Sequence, residues 1–149
     1  MDSSTVQTNV YALIEKQLRF VASVIKETGR QLLKEVGITP PQFVALQWIS
    51  EEEGITIGEL SSRVYMPFST TTDMIDRLEE RELVKRMKDE NDKRLVRIYL
   101  QPKGAGLIRD VIRKRQAFLE EKLGKYPEEV ISGFQAGLQK IYDEIKKDF

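Results

Sequence analysis

A chain of 149 residues is long enough for one domain with a real core. Its residues are 40% hydrophobic and 32% charged, the balance of a folded, water-soluble protein rather than a disordered one. It has no cysteine and no histidine, which excludes disulfides, thiol sensing, Cys/His zinc sites and histidine acid–base chemistry; its 24 basic and 24 acidic residues cancel, so a nucleic-acid partner has to be argued locally.

Residues 1–10 are polar and lack a basic patch ahead of an apolar run, so no signal peptide is expected there. No apolar stretch approaches the ~20 residues of a membrane span. A cytoplasmic location away from any membrane is the expectation, and the absence of cysteine suits it. From Val10 to Val36, apolar residues recur at helical spacing (Val10, Leu13, Ile14, Leu18, Val21, Val24, Ile25, Leu32, Leu33), with Gly37 as the stop. Thr39-Pro40-Pro41-Gln42 opens the next helix. Thr39 can cap, Pro40 needs no N–H partner in the first turn, and Gln42 can reach back to Thr39. Ile55-Thr56-Ile57 is short enough to be only an edge strand. Thr56 and Glu59 form a second capping pattern ahead of a short helix to about Tyr65. Met66-Pro67-Phe68 breaks that helix. Ser69 is then expected to cap a helix running to Arg81, with Thr71, Met74, Ile75 and Leu78 inward.

The period then changes. Residues 83–88 and 95–100 read as strands, the second alternating Leu95, Arg97, Tyr99 against Val96, Ile98, Leu100. The polar run Asp89 to Arg94 between them makes a hairpin tip. Pro102-Lys103-Gly104 opens a long helix, and Pro127-Glu128-Glu129 a last one striped with Val130, Ile131, Phe134, Leu138, Ile141, Tyr142 and Ile145. The expected fold class is mainly α with a small β-hairpin: two compact helices followed at once by a hairpin form a winged helix-turn-helix, flanked by long terminal helices.

Two constellations bear on function. The segment Val84 to Lys103 holds seven basic and three acidic residues, a local net charge of +4 on a neutral chain. A basic β-ribbon can follow phosphates, and an arginine at its tip can enter a minor groove; charges that merely protect a hairpin edge would look the same. On the helix after Pro67, Ser69, Thr70, Asp73, Asp76, Arg77 and Glu80 face away from the apolar stripe. Hydroxyls and free N–H groups at such a helix start suit phosphates and base edges, although plain capping would also place Ser and Thr there.

Taken together, these motifs resemble the MarR family of bacterial regulators. Ser69-Thr70-Thr71-Thr72-Asp73-Met74-Ile75-Asp76-Arg77-Leu78-Glu79 is similar to that family's recognition helix. Asp89-x-x-Asp92-x-Arg94 is similar to its wing signature, and Leu100-Gln101-Pro102-Lys103-Gly104 to the segment that follows. The resemblance runs through nearly the whole chain. It implies a homodimer that binds a pseudo-palindromic operator in double-stranded DNA, with Ser69, Thr70, Thr72, Asp73 and Arg77 at the major groove and Lys93 and Arg94 at the wing. It implies that Asp92 orients Arg94, that Asp89 pairs with Arg77 to brace wing against helix, and that a small, often anionic aromatic effector weakens DNA binding. Phe20, Phe43 and Trp48 are the candidate lining of its pocket, against the ordinary alternative of core packing. No cofactor, metal or catalytic residue is expected. Two residues depart from the pattern: Asp73 stands where many members are basic or neutral, and Glu82 where glycine is usual. The helix is expected to end differently at Glu82 rather than force it into a left-handed conformation.

A helix of about 25 residues spans roughly 38 Å, too long to bury its stripe on a small reading head. Three such stripes point to mutual packing across a two-fold axis, which would also set two reading helices about one DNA turn apart. The expected organisation is one intertwined domain: a dimerisation helix in residues 1–38, the DNA-binding region in 39–101 and dimerisation helices in 102–149. The resulting reading is a dimeric DNA-binding repressor. The alternatives are a helical protein–protein module of the same fold that has lost DNA binding, and a carboxylate enzyme, which the missing histidine, cysteine and acidic cluster disfavour.

Overall fold

In the computed structural model, which describes residues 3–148, the first apolar stripe is carried by two helices. α1 (Ser3–Glu27) ends before Gly29, and α2 (Arg30–Val36) starts anew. The single helix expected over Val10–Val36 is thus corrected. Gly29 takes φ 95°, which no helix continues through, and a Cβ there would sit 3.0 Å from Val111 Cγ1. α3 (Pro40–Glu51) begins with the expected reciprocal cap: the Thr39 N–H donates to Gln42 Oε1 at 2.9 Å and the Gln42 N–H to Thr39 Oγ1 at 3.3 Å. β1 (Ile55–Thr56) leads into α4 (Ile57–Val64), whose start repeats the device with Thr56 and Glu59.

α5 (Phe68–Glu80) corrects the expected cap. Ser69 lies inside the first turn, and Pro67 occupies the cap position. A cap must supply a carbonyl to the first turn and has no use for its own N–H. Pro67 meets both conditions, its carbonyl accepting the Thr71 N–H at 3.0 Å. At the other end, Glu82 does take the left-handed conformation, with φ 62°, against expectation. The reason lies in the hydrogen bonds that close α5. The Glu82 N–H donates to the Glu79 carbonyl at 2.9 Å and the Leu83 N–H to the Leu78 carbonyl at 3.0 Å. That pair is a Schellman ending, which requires a left-handed residue between them. Leu83 and Leu78 are both buried, so packing enforces the turn.

β2 (Val84–Lys88) and β3 (Val96–Leu100) pair antiparallel, Val84 opposite Leu100 and Lys88 opposite Val96. β1 pairs with the far side of β3, giving a three-stranded sheet in the order β1-β3-β2. α6 (Pro102–Leu123) then crosses back, and α7 (Glu128–Lys146) ends the chain. Gly104 lets α6 start hard against the sheet, since a Cβ there would collide with the Leu83 carbonyl oxygen.

The core is built from α2 to the first half of α6: Leu33, Phe43, Leu46, Ile49, Ile55, Leu60, Ile75, Leu78, Val84, Ile98, Leu107 and Val111 are all buried. This is a winged helix: α3, α4 and α5 packed on a small sheet whose β2–β3 hairpin projects beside α5. Within the described residues no helix is long and apolar enough to cross a membrane.

Candidate nucleic-acid interface

α5 buries Thr71, Met74, Ile75 and Leu78, which leaves Ser69, Thr70, Asp73, Asp76, Arg77 and Glu80 exposed, as the helical wheel requires. The hydroxyls in the first turn divide. Thr71 Oγ1 donates to the Pro67 carbonyl and accepts from Ser61 Oγ, both at 3.0 Å, which ties α5 to α4. Thr72 Oγ1 donates to the Phe68 carbonyl at 3.0 Å. The Ser69 and Thr70 hydroxyls make no hydrogen bond among the described residues. With the unpaired N–H groups of the first turn they form a bare polar end.

The wing tip is a turn organised by two carboxylates. Asp89 accepts from the N–H groups of Asn91 and Asp92 at 3.1 and 2.8 Å and from Arg97 Nε at 2.7 Å. Asp92 accepts from the Arg94 N–H and Nε, both at 3.1 Å, and from its Nη2 at 3.3 Å. The Arg94 side chain is nonetheless 91% exposed, so Asp92 steadies a guanidinium that projects into solvent, with exposed Lys93 beside it. The guanidiniums of Arg97 and Arg94 hold Asp89 and Asp92 below the usual carboxylate range.

The expected brace between Asp89 and Arg77 is absent. Asp89 is spent inside the turn on Arg97, whose Nη1 also donates to the Gly54 carbonyl at 2.9 Å. Arg77 has no ion-pair partner among the described residues. The wing is braced instead by Arg86 of β2. Its N–H donates to Glu79 Oε2 at 2.8 Å, its Nη2 donates to the Thr72 carbonyl at 3.3 Å, and it pairs with Asp76. The residue was overlooked, yet a signal was there. Arg86 is two residues from buried Val84, so strand alternation turns it toward α5, where Asp76 and Glu79 wait one turn apart. One consequence is electrostatic: the Asp76 charge beside the reading face is already compensated, while that of Asp73 is not.

The three residues expected to line one effector pocket do not meet. Phe20 is 68% exposed on α1, and Trp48 lies under Arg63 at the other end of α3. Each lines a different cavity: Phe20 a shallow one on α1, Trp48 one of about 560 Å³ between α3 and α7, and buried Phe43 one of about 410 Å³ between α1, α2, α3 and α6, lined also by Lys26, Arg30 and Arg115. Arg115 lies 5.3 Å over the Phe43 ring. The correction has a simple source: Phe43 and Trp48 are five residues apart on one helix, which puts them on different faces. An apolar floor with three cations at the rim suits a small anion with an apolar body.

Among the described residues, the apolar stripes of the terminal helices are left largely uncovered. α7 has no buried residue, and Val130, Phe134, Leu138, Ile141 and Ile145 stand exposed along it, as do Leu13, Ile14, Leu18 and Val21 on α1. The two stripes border a groove of about 630 Å³, and Gly133 and Gly137 open it further, since a Cβ added at either would meet nothing within 4 Å.

Residues 38–96 match the model of the MarR family. The chain is 48% identical over 134 residues to YsmB of Bacillus subtilis, an uncharacterized HTH-type transcriptional regulator, covering 90% of this chain and 92% of that one. A MarR family protein from Bacillus stearothermophilus superposes with a TM-score of 0.81 at 44% identity, over 98% of this chain and 99% of that one. The transcriptional regulator Tm0710 from Thermotoga maritima superposes with a TM-score of 0.79 at 31% identity, over 93% and 97% of the two chains.

Proposed function

The chain belongs to the MarR family of DNA-binding transcriptional regulators, and from that premise we propose that it is a homodimeric repressor released from its operator by a small aromatic anion. The observation that carries this reading is the wing. Asp92 fixes a fully displayed Arg94 at the tip of a hairpin that Arg86 braces against α5, whose own first turn is bare and polar. Arg94 enters the minor groove while Ser69, Thr70, Thr72, Asp73 and Arg77 address the major groove and Lys93 a phosphate. Asp73 serves as an acceptor toward cytosine N4.

Dimerisation is supported by α1 and α7, whose apolar stripes stay exposed among the described residues. On this reading residues 1–38 and 102–149 interlace across the two-fold axis and residues 39–101 bind DNA, in the cytoplasm and without catalysis. The effector binds at Phe43 between the two regions, its anionic group on Arg115, Arg30 and Lys26. Arg30 lines that cavity and directly follows Gly29, which breaks the chain between α1 and α2, so occupancy there reaches the junction through which the dimer sets the spacing of its reading helices.

The test is fluorescence anisotropy against duplexes selected from a random pool. Binding is expected to weaken steeply with salt, as several phosphate contacts require. Arg94→Ala is expected to weaken it by roughly tenfold or more with the dimer and its melting temperature intact. An unchanged affinity would remove the wing from the mechanism. In a thermal-shift panel of aromatic carboxylates, at least one should stabilise the wild type and leave Arg115→Ala unmoved.

A further inference from the structure

We propose that Phe68 is a base-reading residue, its ring packing against the 5-methyl group of a thymine in the bound major groove. The proposal rests on the reading of α5 as the DNA-reading helix and deepens it. Phe68 is the first residue of α5 and is 60% exposed, directly ahead of exposed Ser69 and Thr70. The other outward residues of this helix are hydroxyls and charges. A bare aromatic ring among them is the kind of exposed apolar group that calls for a partner.

The chain offers it none. Phe68 is absent from the packed core and from the residues that lean on it, although Met66, two residues earlier, packs there. Nor does it continue the apolar faces of α1 and α7, since its exposed neighbours along α5 are Ser69, Thr70 and Asp73. The one apolar side chain near it in sequence and equally bare is Tyr65, 85% exposed in the turn between α4 and α5. The turn that carries Phe68 is fixed. The Pro67 carbonyl accepts both the N–H and the hydroxyl of Thr71, the Phe68 carbonyl accepts the Thr72 hydroxyl, and Thr71 is tied to Ser61 of α4. A ring on so fixed a backbone loses little freedom on binding.

Direction and chemistry then select the contact. Side chains on a helix lean toward its N-terminus, so a first-turn residue projects past the helix end. In helix-turn-helix docking it is the N-terminal part of the reading helix that meets base edges. Thymine is the base that presents a methyl group in the major groove, and phenylalanine is among the side chains that pack on it. The Phe68 side chain can donate no hydrogen bond to a phosphate or a base, so apolar contact is the form of readout open to its ring.

The experiment replaces thymine by deoxyuracil, which deletes the 5-methyl group and nothing else. Duplexes selected from a random pool by the wild-type protein are re-synthesised with each symmetric thymine pair replaced in turn, and affinities are measured by anisotropy. At one pair the wild type should lose about fourfold per thymine, the value of one buried methyl. Phe68→Ala should lose a similar factor on the thymine duplex and be indifferent to deoxyuracil at that pair. Phe68→Leu, which keeps an apolar side chain, should retain part of the penalty. Circular dichroism and sedimentation check that both variants keep the fold and the oligomer. The proposal is overturned if no thymine replacement weakens the wild type, if Phe68→Ala keeps the full deoxyuracil penalty, or if it weakens every duplex equally, which is a backbone contact. Failure of the pool to yield any bound duplex would instead reject α5 as a DNA-reading helix, and the proposal with it.

Discussion

The reading head and the terminal helices treat the same kind of sequence in opposite ways. α5 and α7 are both amphipathic helices of ordinary length. α5 sinks Met74, Ile75 and Leu78 into a core shared with α3, α4 and the sheet, whereas α7 leaves Phe134, Leu138 and Ile141 in the open. Neighbourhood makes the difference. Around α5, α3, α4 and the three-stranded sheet converge within about 60 residues of chain, each short enough to cover the others. α1 and α7 extend past that cluster, and among the described residues their apolar stripes stay exposed along a shared groove. On the proposed reading, stability in the head is a property of one chain, and order in the terminal helices is a property of two.

The comparison breaks most sharply on α7. Phe134→Glu puts a charge on the exposed stripe, where a monomer tolerates it and a dimer does not. Sedimentation should show dissociation at micromolar concentration. Affinity for a palindromic duplex should fall by roughly a hundredfold to ten-thousandfold, because two linked half-sites become two separate ones. Full operator affinity in this variant would sink the dimer. Leu78→Ala probes the other region and should cost about 2–5 kcal/mol by denaturant titration through the cavity it leaves. The two variants should also differ in kind. The Leu78→Ala loss should appear at every protein concentration, whereas the midpoint of wild-type unfolding should rise with concentration and that of Phe134→Glu should not.

Much of the head was legible in the sequence because local chemistry dictates it. Thr39–Gln42 and Thr56–Glu59 are complete capping instructions within four residues, and the alternation of β3 leaves one register for its inward face. What was missed depends on distant residues. Gly29 splits the first helix through its positive φ, at a point where a Cβ would press on Val111, far along the chain. Arg86 rather than Arg77 braces the wing because Asp89 already has Arg97 within its own hairpin. The effector trio failed for the same reason: aromatic composition says nothing of which helix face turns inward, and Phe20, Phe43 and Trp48 turn three ways. In the terminal helices the stripes were visible, and their length already implied that the reading head of one chain could not bury them, as their exposure shows.

Glu82 offers a smaller perturbation confined to the head. Its φ of 62° is imposed by the ending of α5, where Leu83 must turn back onto Leu78. A residue with a Cβ is strained there by about 1–2 kcal/mol, partly offset by the greater freedom that glycine has when unfolded. Glu82→Gly should therefore stabilise the protein by about 1 kcal/mol in denaturant titration, with dimer dissociation unchanged. Destabilisation would mean that the Glu82 side chain contributes more than its backbone costs.

Acidity should have the smallest effect, and in the neutral range it should treat both regions alike. In the head, hydrogen bonds from Arg97 and Arg94 lower Asp89 and Asp92 below their ordinary value. A lowered carboxylate contributes stability that is present above its unfolded value, near 3.9, and is lost as pH falls through the lower folded one. In α7, the hydrogen bond to Tyr142 raises Lys146, whose contribution is complete below its unfolded value, near 10.4, and is lost as pH rises through the higher folded one. Both windows lie outside the span from about pH 5 to 8, and the chain has no histidine to titrate inside it. Operator affinity at constant ionic strength should accordingly vary by less than about twofold across that span. It should fall only as acid neutralises the wing carboxylates and frees Arg94 and Arg97 from the turn. A step in affinity between pH 6 and 8 would require a titrating group that neither the wing nor α7 supplies.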